Sequence, residues 1–134
     1  DHLTKALEQE NSDFSKVLTS EYNRWFIQCD DDVVGNISLK NVSTTQLYGE
    51  IGYGMDEGFQ NRGIMTEALK TFLEQVFRLT PLRRIVAYVH DENIASCRVL
   101  EKLKFQKEGL LREHFVIQGK PAHEFVYGLL KSDF

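Results

Sequence analysis

The chain has 134 residues and a formal net charge of −4 at pH 7, with 42% hydrophobic and 27% charged residues. These values are typical of a single globular domain over residues 1–134. The acidic balance disfavours broad binding to nucleic acid or membranes, and no apolar run approaches the roughly 20 residues of a membrane span. Cys29 and Cys97 are far apart and lack the spacing of a zinc site. We therefore expect a cytoplasmic protein without a metal site.

The N-terminal part predicts the end of a helix and then three strands. Residues 1–10 carry apolar residues at helical spacing, and Asn-Ser-Asp after them indicates a break. Two apolar runs flank an acidic turn at residues 30–32 and predict a hairpin, with a loop near residues 40–43. A third strand follows, with Leu47, Ile51, Tyr53 and Met55 on one face and Tyr48, Glu50, Gly52 and Gly54 on the other.

The apolar period then changes from two residues to about four. An apolar stripe over residues 64–77 predicts a helix of about four turns, which ends before Pro81. RRIVAYVH is apolar on both faces and predicts a central parallel strand. A second helix is predicted over residues 94–103, and a hairpin over residues 110–130. The order (α)βββαβαββ contains a crossover helix, so it predicts a mixed sheet.

A polar loop, Gln60-Asn61-Arg62-Gly63, directly precedes the first long helix. The first N–H groups of a helix lack internal partners, and its dipole adds positive potential there. Glycine permits close approach of a ligand, and Arg62 adds a charge. The loop therefore predicts a site for phosphate or pyrophosphate. The P-loop motif GxxxxGK[ST] is absent, and the alternative is that Gly63 only ends a turn.

Three segments resemble the GNAT superfamily of acetyl-CoA-dependent N-acetyltransferases. Gln60-Asn61-Arg62-Gly63 is similar to its Q/R-x-x-G-x-G/A signature. IGYGMDEGFQNRGIMTEAL and NIASCRVLEKLKF resemble the branch that includes ribosomal-protein N-terminal acetyltransferases, as does the closing EGLLREHFVIQGKPAHEFVYGLL. The resemblance covers residues 21–130. It implies an α/β fold with a mixed, mostly antiparallel sheet and helices on both faces.

The chain also departs from the family pattern at three places. Met65 stands where the wider superfamily prefers Gly or Ala, and Lys104 replaces a glycine after the second helix. If that position needs a positive φ, lysine costs on the order of 1 kcal/mol. We expect the first strand and helix of the family, which help to build the acceptor-binding wall, to be lacking from this sequence.

The resemblance implies acetyl-CoA as cosubstrate and a primary amine as acceptor, with attack in a ternary complex and no acyl-enzyme. The leading acceptor is the α-amine of a protein N-terminus, and small amines stay open. The residues expected to bind coenzyme A, through the loop and through the strand beside it, are Tyr53, Met55, Gln60, Asn61, Arg62, Gly63, Ile64, Met65 and Asn93.

Two residues are candidates for proton transfer. Glu50 lies on the glycine face of its strand and is the candidate general base, directly or through water; the alternative is a salt-bridged strand glutamate. The resemblance implies that Ser96 acts as the acid toward the leaving thiolate, and the alternative is a small packing residue. Asn93 could equally be a helix N-cap. His90 is a further residue to test as a base.

Two other classes of function stay open. The chain could be an acyl-CoA-binding sensor without transferase activity, or a structural interaction domain without affinity for coenzyme A. Pairing of the final hairpin between two subunits is a hypothesis for a homodimer.

Overall fold

The structure is a computed structural model, and it describes residues 7–9, 18 and 22–134. The described residues form seven strands and two α-helices. In chain order they are β1 (Leu7–Gln9), β2 (Tyr22–Cys29), β3 (Asp32–Ser43), β4 (Tyr48–Met55), α1 (Ile64–Leu79), β5 (Arg84–His90), α2 (Ile94–Lys102), β6 (Gln106–Ile117) and β7 (Lys120–Leu130). Short 3₁₀ turns lie at Glu57–Phe59 and Lys131–Asp133.

All seven described strands form one sheet, in the order β1-β2-β3-β4-β5-β7-β6. Only β4 and β5 run parallel, and every other neighbouring pair is antiparallel. The parallel pair exists because α1 carries the chain back across the sheet between these two strands. The predicted fold class, a mixed and mostly antiparallel α/β sheet, is confirmed.

Helix α1 anchors the hydrophobic core. It begins after Gly63 and ends before Pro81, and its eight predicted apolar residues are all buried. Cys97 and Leu100 of α2 join the same cluster as α1 and the alternate residues of β2–β5 and β7. Both helices therefore lie on the same face of the sheet. Of the helices that were predicted on both faces, residues 7–9, 18 and 22–134 show those of one face.

The prediction of a helix over residues 1–10 is wrong where the structure describes it. Residues 7–9 form β1, which pairs antiparallel with β2; the rest of that predicted helix lies outside the described residues. The structure of this short segment is set by its pairing with β2, and the spacing of its own apolar residues does not reveal that pairing.

Three predicted boundaries also differ from the structure. Leu47, which was predicted to lie on the third strand, is in the turn before β4 and has a φ of 61°. Strand β3 continues to Ser43 through the predicted loop, with a register shift after Lys40 and with Asn41 at a φ of 51°. Strand β6 begins at Gln106, before the predicted hairpin. At these last two boundaries polar residues suggested a loop, although polar side chains are compatible with a strand that faces solvent.

Candidate active site

Strands β4 and β5 separate at one end, and the candidate site adjoins this opening. They pair in parallel only over residues 48–51 and 84–87. Beyond that point β4 continues to Met55 and β5 to His90, and no described strand lies between them. The side of residues 52–55 that faces β5 therefore presents backbone groups to which an extended ligand can add as a strand.

A cleft of about 580 Å³ lies at this opening. Its walls are the end of β4, the loop before α1, the first turn of α1 and one side of α2. Nine of the eleven predicted site residues line it, namely Tyr53, Met55, Gln60, Asn61, Gly63, Ile64, Met65, Asn93 and Ser96. Arg62 and Glu50 are not among the lining residues.

The N-terminus of α1 forms one wall of the cleft and has no side-chain cap. Gly63 is the N-cap residue, in the left-handed conformation with φ 75° and ψ 3°, and Asn61 has a φ of 62°. The side-chain amide of Gln60 donates to the carbonyl oxygen of Met55 at 3.1 Å and ties the loop to β4. Uncapped N–H groups and the helix dipole make this wall suited to an anion.

Three basic side chains lie in or next to the cleft, one in the loop before α1 and two on α2. The Arg62 guanidinium lies 5.4 Å from the centre of the Phe59 ring, which itself lines the cleft. On the opposite wall Arg98 and Lys102 of α2 line the cleft. Sequence reasoning did not assign these two, although their spacing of four residues places them on one side of the helix. The cleft therefore favours an elongated ligand with several negative charges.

Asn93 and Ser96 are linked at the start of α2. The Ser96 N–H donates to Asn93 Oδ1 at 3.1 Å, so Asn93 acts as the helix N-cap, and it also lines the cleft. The cap uses the side-chain oxygen only, so contact between Asn93 and a pantetheine arm stays a prediction.

Tyr53 and Ser96 both line the cleft and lie in contact with each other. Tyr53 Oη is 2.5 Å from Ser96 Oγ and 3.4 Å from the Ser96 carbonyl oxygen. Burial raises the pKa of the Tyr53 phenol to about 12, against the smaller lowering effect of the hydrogen bond with Ser96. The alternation of β4 placed Tyr53 on the face of Ile51, but the sequence did not reveal that this face meets the first turn of α2.

Glu50 occupies the other face of β4. Its Oε1 accepts a hydrogen bond from Asn41 Nδ2 at 2.9 Å, and its Oε2 lies 3.7 Å from Lys40 Nζ. The structure does not bring Glu50 together with Tyr53 and Ser96, because successive side chains of a strand alternate between faces. The observed contacts are those of the salt-bridged alternative, and a catalytic role for Glu50 stays a prediction.

The three glycines of β4 differ in what they allow. A Cβ at Gly49 would lie 2.9 Å from Leu39 Cδ1. A Cβ at Gly52 would lie 2.8 Å from Ser38 Oγ, so this glycine makes room for a buried serine on β3. A Cβ at Gly54 would meet no atom closer than 3.7 Å. Only Gly54 therefore leaves open space beside the strand.

The three histidines among the described residues, His90, His114 and His123, do not line the cleft. His90 Nε2 is 3.7 Å from Asp91 Oδ1, and its ring packs edge-on against Phe115 with the ring centres 5.5 Å apart. His114 Nδ1 is 2.6 Å from Glu124 Oε1. These contacts belong to the end of β5 and to the β6–β7 hairpin.

Comparison with known proteins identifies the family. Residues 2–106 match the acetyltransferase (GNAT) domain model, and the chain belongs to this family. It is 37% identical over 109 residues to the "Probable N-acetyltransferase YjcK" of Bacillus subtilis (strain 168), covering 81% of this chain and 60% of that protein. It is 26% identical over 124 residues to the [ribosomal protein uS5]-alanine N-acetyltransferase of Escherichia coli (strain K12), covering 92% and 64%.

A solved structure supports the same assignment. Mycobacterium smegmatis RimJ in complex with CoA-disulfide superposes with a TM-score of 0.82 at 26% identity, over 90% of this chain and 58% of that one. The chain thus spans about three fifths of the length of these relatives. The predicted family is confirmed. None of the helices in the described ranges is long and apolar enough to cross a bilayer.

Proposed function

We propose that this chain transfers an acetyl group from acetyl-CoA to a primary amine. The observation that carries the proposal is the cleft itself, in which the open edge of β4 meets the uncapped N-terminus of α1. One wall suits an extended amide-bearing chain and the other suits a pyrophosphate. Coenzyme A carries both groups in one molecule.

Each part of the cosubstrate has residues suited to hold it. The N–H groups of residues 61–65 receive the pyrophosphate, with Arg62 at the rim and Arg98 and Lys102 opposite. The backbone of residues 52–55 pairs with the pantetheine arm, and an N–H there polarises the thioester carbonyl. This arrangement places the sulfur toward Tyr53 and Ser96.

The chemistry is direct attack by the amine on the thioester carbon. Positioning of the two reactants can supply roughly 7–11 kcal/mol in well-oriented systems. A base removes one proton from the amine, the carbon–sulfur bond breaks, and the electron pair leaves with sulfur. Glu50 acts on the amine through water from the other face of β4.

The acceptor that we propose is the α-amine of a protein N-terminus. The support is the similarity to the Escherichia coli enzyme that acts on an alanine of ribosomal protein uS5. Incubation with acetyl-CoA and peptides that begin with alanine or serine tests this, with mass spectrometry as the readout. Peptides blocked at the α-amine are the control, and spermidine tests a small amine. Acetylation of spermidine alone would overturn the peptide assignment.

The placement of Glu50 favours one alternative, an acyl-CoA-binding sensor. Its carboxylate is held by Asn41 and Lys40 and does not line the cleft. A sensor binds acetyl-CoA and transfers acetyl to none of these amines. Binding without transfer in the peptide assay would therefore favour the sensor over the enzyme.

A further inference from the structure

The hydrogen bond between Tyr53 and Ser96 joins two elements that are 43 residues apart in sequence. Tyr53 comes from the part of β4 that has separated from β5, and Ser96 from the first turn of α2. Both side chains line the cleft. The contact therefore lies beside the open edge of β4, inside the cleft that the proposed function assigns to coenzyme A.

Either hydroxyl of this pair can be the donor. Burial keeps the phenol of Tyr53 in its protonated form, so it has a hydrogen to give. The nearest oxygens to its Oη are both on Ser96, at 2.5 Å and 3.4 Å. Donation by Tyr53 to Ser96 Oγ would occupy a lone pair of the serine and leave the serine hydrogen available for a hydrogen bond to a ligand in the cleft.

We propose that Tyr53 is a positioning residue whose phenol orients the Ser96 hydroxyl toward the sulfur of coenzyme A. The inference rests on the proposed function. When the carbon–sulfur bond breaks, the electron pair stays on sulfur, and the Ser96 O–H donates a hydrogen bond to the thiolate. Both hydroxyls keep their protons, and solvent later protonates the thiolate. The chain of two hydrogen bonds and the N-terminus of α2 strengthen the donor.

A purely structural role is the competing explanation, because the same bond fastens α2 to β4. The two roles differ in one observable property, the ionisation of the bound thiol. The free thiol has its own pKa in solution. If Ser96 stabilises the thiolate, the pKa of the bound thiol is lower than that of the free thiol, and affinity for coenzyme A rises with pH between these two pKa values and is level above the higher one.

The test is calorimetric binding of coenzyme A and of desulfo-coenzyme A between pH 6.5 and 9.5, which needs no acceptor amine. We expect the preference for the thiol-bearing ligand to grow about tenfold over this range, the size of one hydrogen bond to a charged group. Tyr53→Phe and Ser96→Ala should each remove most of this growth, and the double variant should lose no more than Ser96→Ala alone.

Tyr127→Phe is the matched control. Tyr127 Oη donates to Glu101 Oε2 at 3.0 Å and so also links a strand to α2, but Tyr127 does not line the cleft. This variant should keep the full pH dependence. Site-specific 3-fluorotyrosine at position 53 keeps the ring and the hydroxyl and is a stronger donor, so it should increase the preference even if Tyr53→Phe does not fold.

The outcomes separate the inference from the proposed function. Absence of binding by both ligands would overturn the proposed function and the inference with it. Binding of both ligands with no growth in preference would overturn the inference alone. Tyr53 would not act through Ser96 if Tyr53→Phe kept the growth with pH in the preference for coenzyme A. The same would follow if the double variant lost the sum of what the two single variants lose.

Discussion

Replacement of Gly63 by alanine should lower both the stability of the chain and its affinity for acetyl-CoA. Gly63 has a φ of 75°, and a residue with a Cβ costs roughly 1–2 kcal/mol in this region. A Cβ there would meet no atom within 4 Å, so the cost is one of backbone conformation alone. For a chain of this length, a loss of about 1 kcal/mol lowers Tm by roughly 3–5 °C.

The effect on binding follows from how the strain is relieved. An alanine that rotates to negative φ displaces the N–H groups of Ile64 and Met65, which line the cleft. We expect acetyl-CoA to bind at least about tenfold more weakly, which corresponds to loss of one hydrogen bond to a charged group. Thermal melts with and without acetyl-CoA measure the stability and the affinity together.

Gly58→Ala is the matched control for this variant. A Cβ at Gly58 also meets no atom within 4 Å, but its φ is not in the left-handed region. Alanine there should be neutral or stabilise by roughly 0.4–1 kcal/mol, because it reduces the entropy of the unfolded chain. Equal melting temperatures and equal affinities for the two variants would refute the role assigned to Gly63.

Three further predictions follow from particular contacts. Glu50→Gln should lower kcat about 10²-fold with acetyl-CoA affinity unchanged if Glu50 is the base; a rate within twofold of the wild type in the peptide assay would remove it from the mechanism. Arg84 donates from Nη1 to Glu108 Oε2 at 3.0 Å and from Nη2 to Glu108 Oε1 at 2.6 Å. This pairing lowers the pKa of the Glu108 carboxyl below its usual 4.5. The pair should therefore stabilise the folded chain above about pH 4.5 and lose this effect as the pH falls further. In urea unfolding, Glu108→Gln should lower the free energy of unfolding by roughly 0.2–1 kcal/mol at pH 7 and by almost nothing at pH 2. An equal loss at both pH values would contradict this. Leu73 is fully buried, and Leu73→Ala should lower the free energy of unfolding by about 2–5 kcal/mol in the same assay; a change below 1 kcal/mol would contradict the packing of α1.

The parts of the fold that sequence predicted well are those with long periodic patterns. Helix α1 follows from its apolar stripe and from Pro81, and β4 follows from its alternation. Strand β1 could not be predicted, because three residues carry too little pattern and its partner decides its structure. Lys104 was predicted to cost stability if its position requires a positive φ, and its φ is 74°.

The site was predictable where it is local in sequence and not where it depends on packing. The phosphate loop and the start of α1 are one continuous segment, and they line the cleft together. The Tyr53–Ser96 contact depends on how α2 packs against the open end of β4, which no local pattern specifies. Strand alternation alone separates Glu50 from Tyr53, but it does not reveal which face the cleft occupies.

The most direct test of the central claim, that this cleft binds acetyl-CoA, is a thermal-shift titration of the chain with acetyl-CoA, with ATP as the control polyphosphate. At 100 times Kd, specific binding stabilises the folded state by about 2.7 kcal/mol, which is several degrees of Tm at this size. We predict a saturable shift with acetyl-CoA that Gly63→Ala weakens and ATP does not reproduce. No shift with acetyl-CoA, or an equal shift with ATP, would contradict the claim.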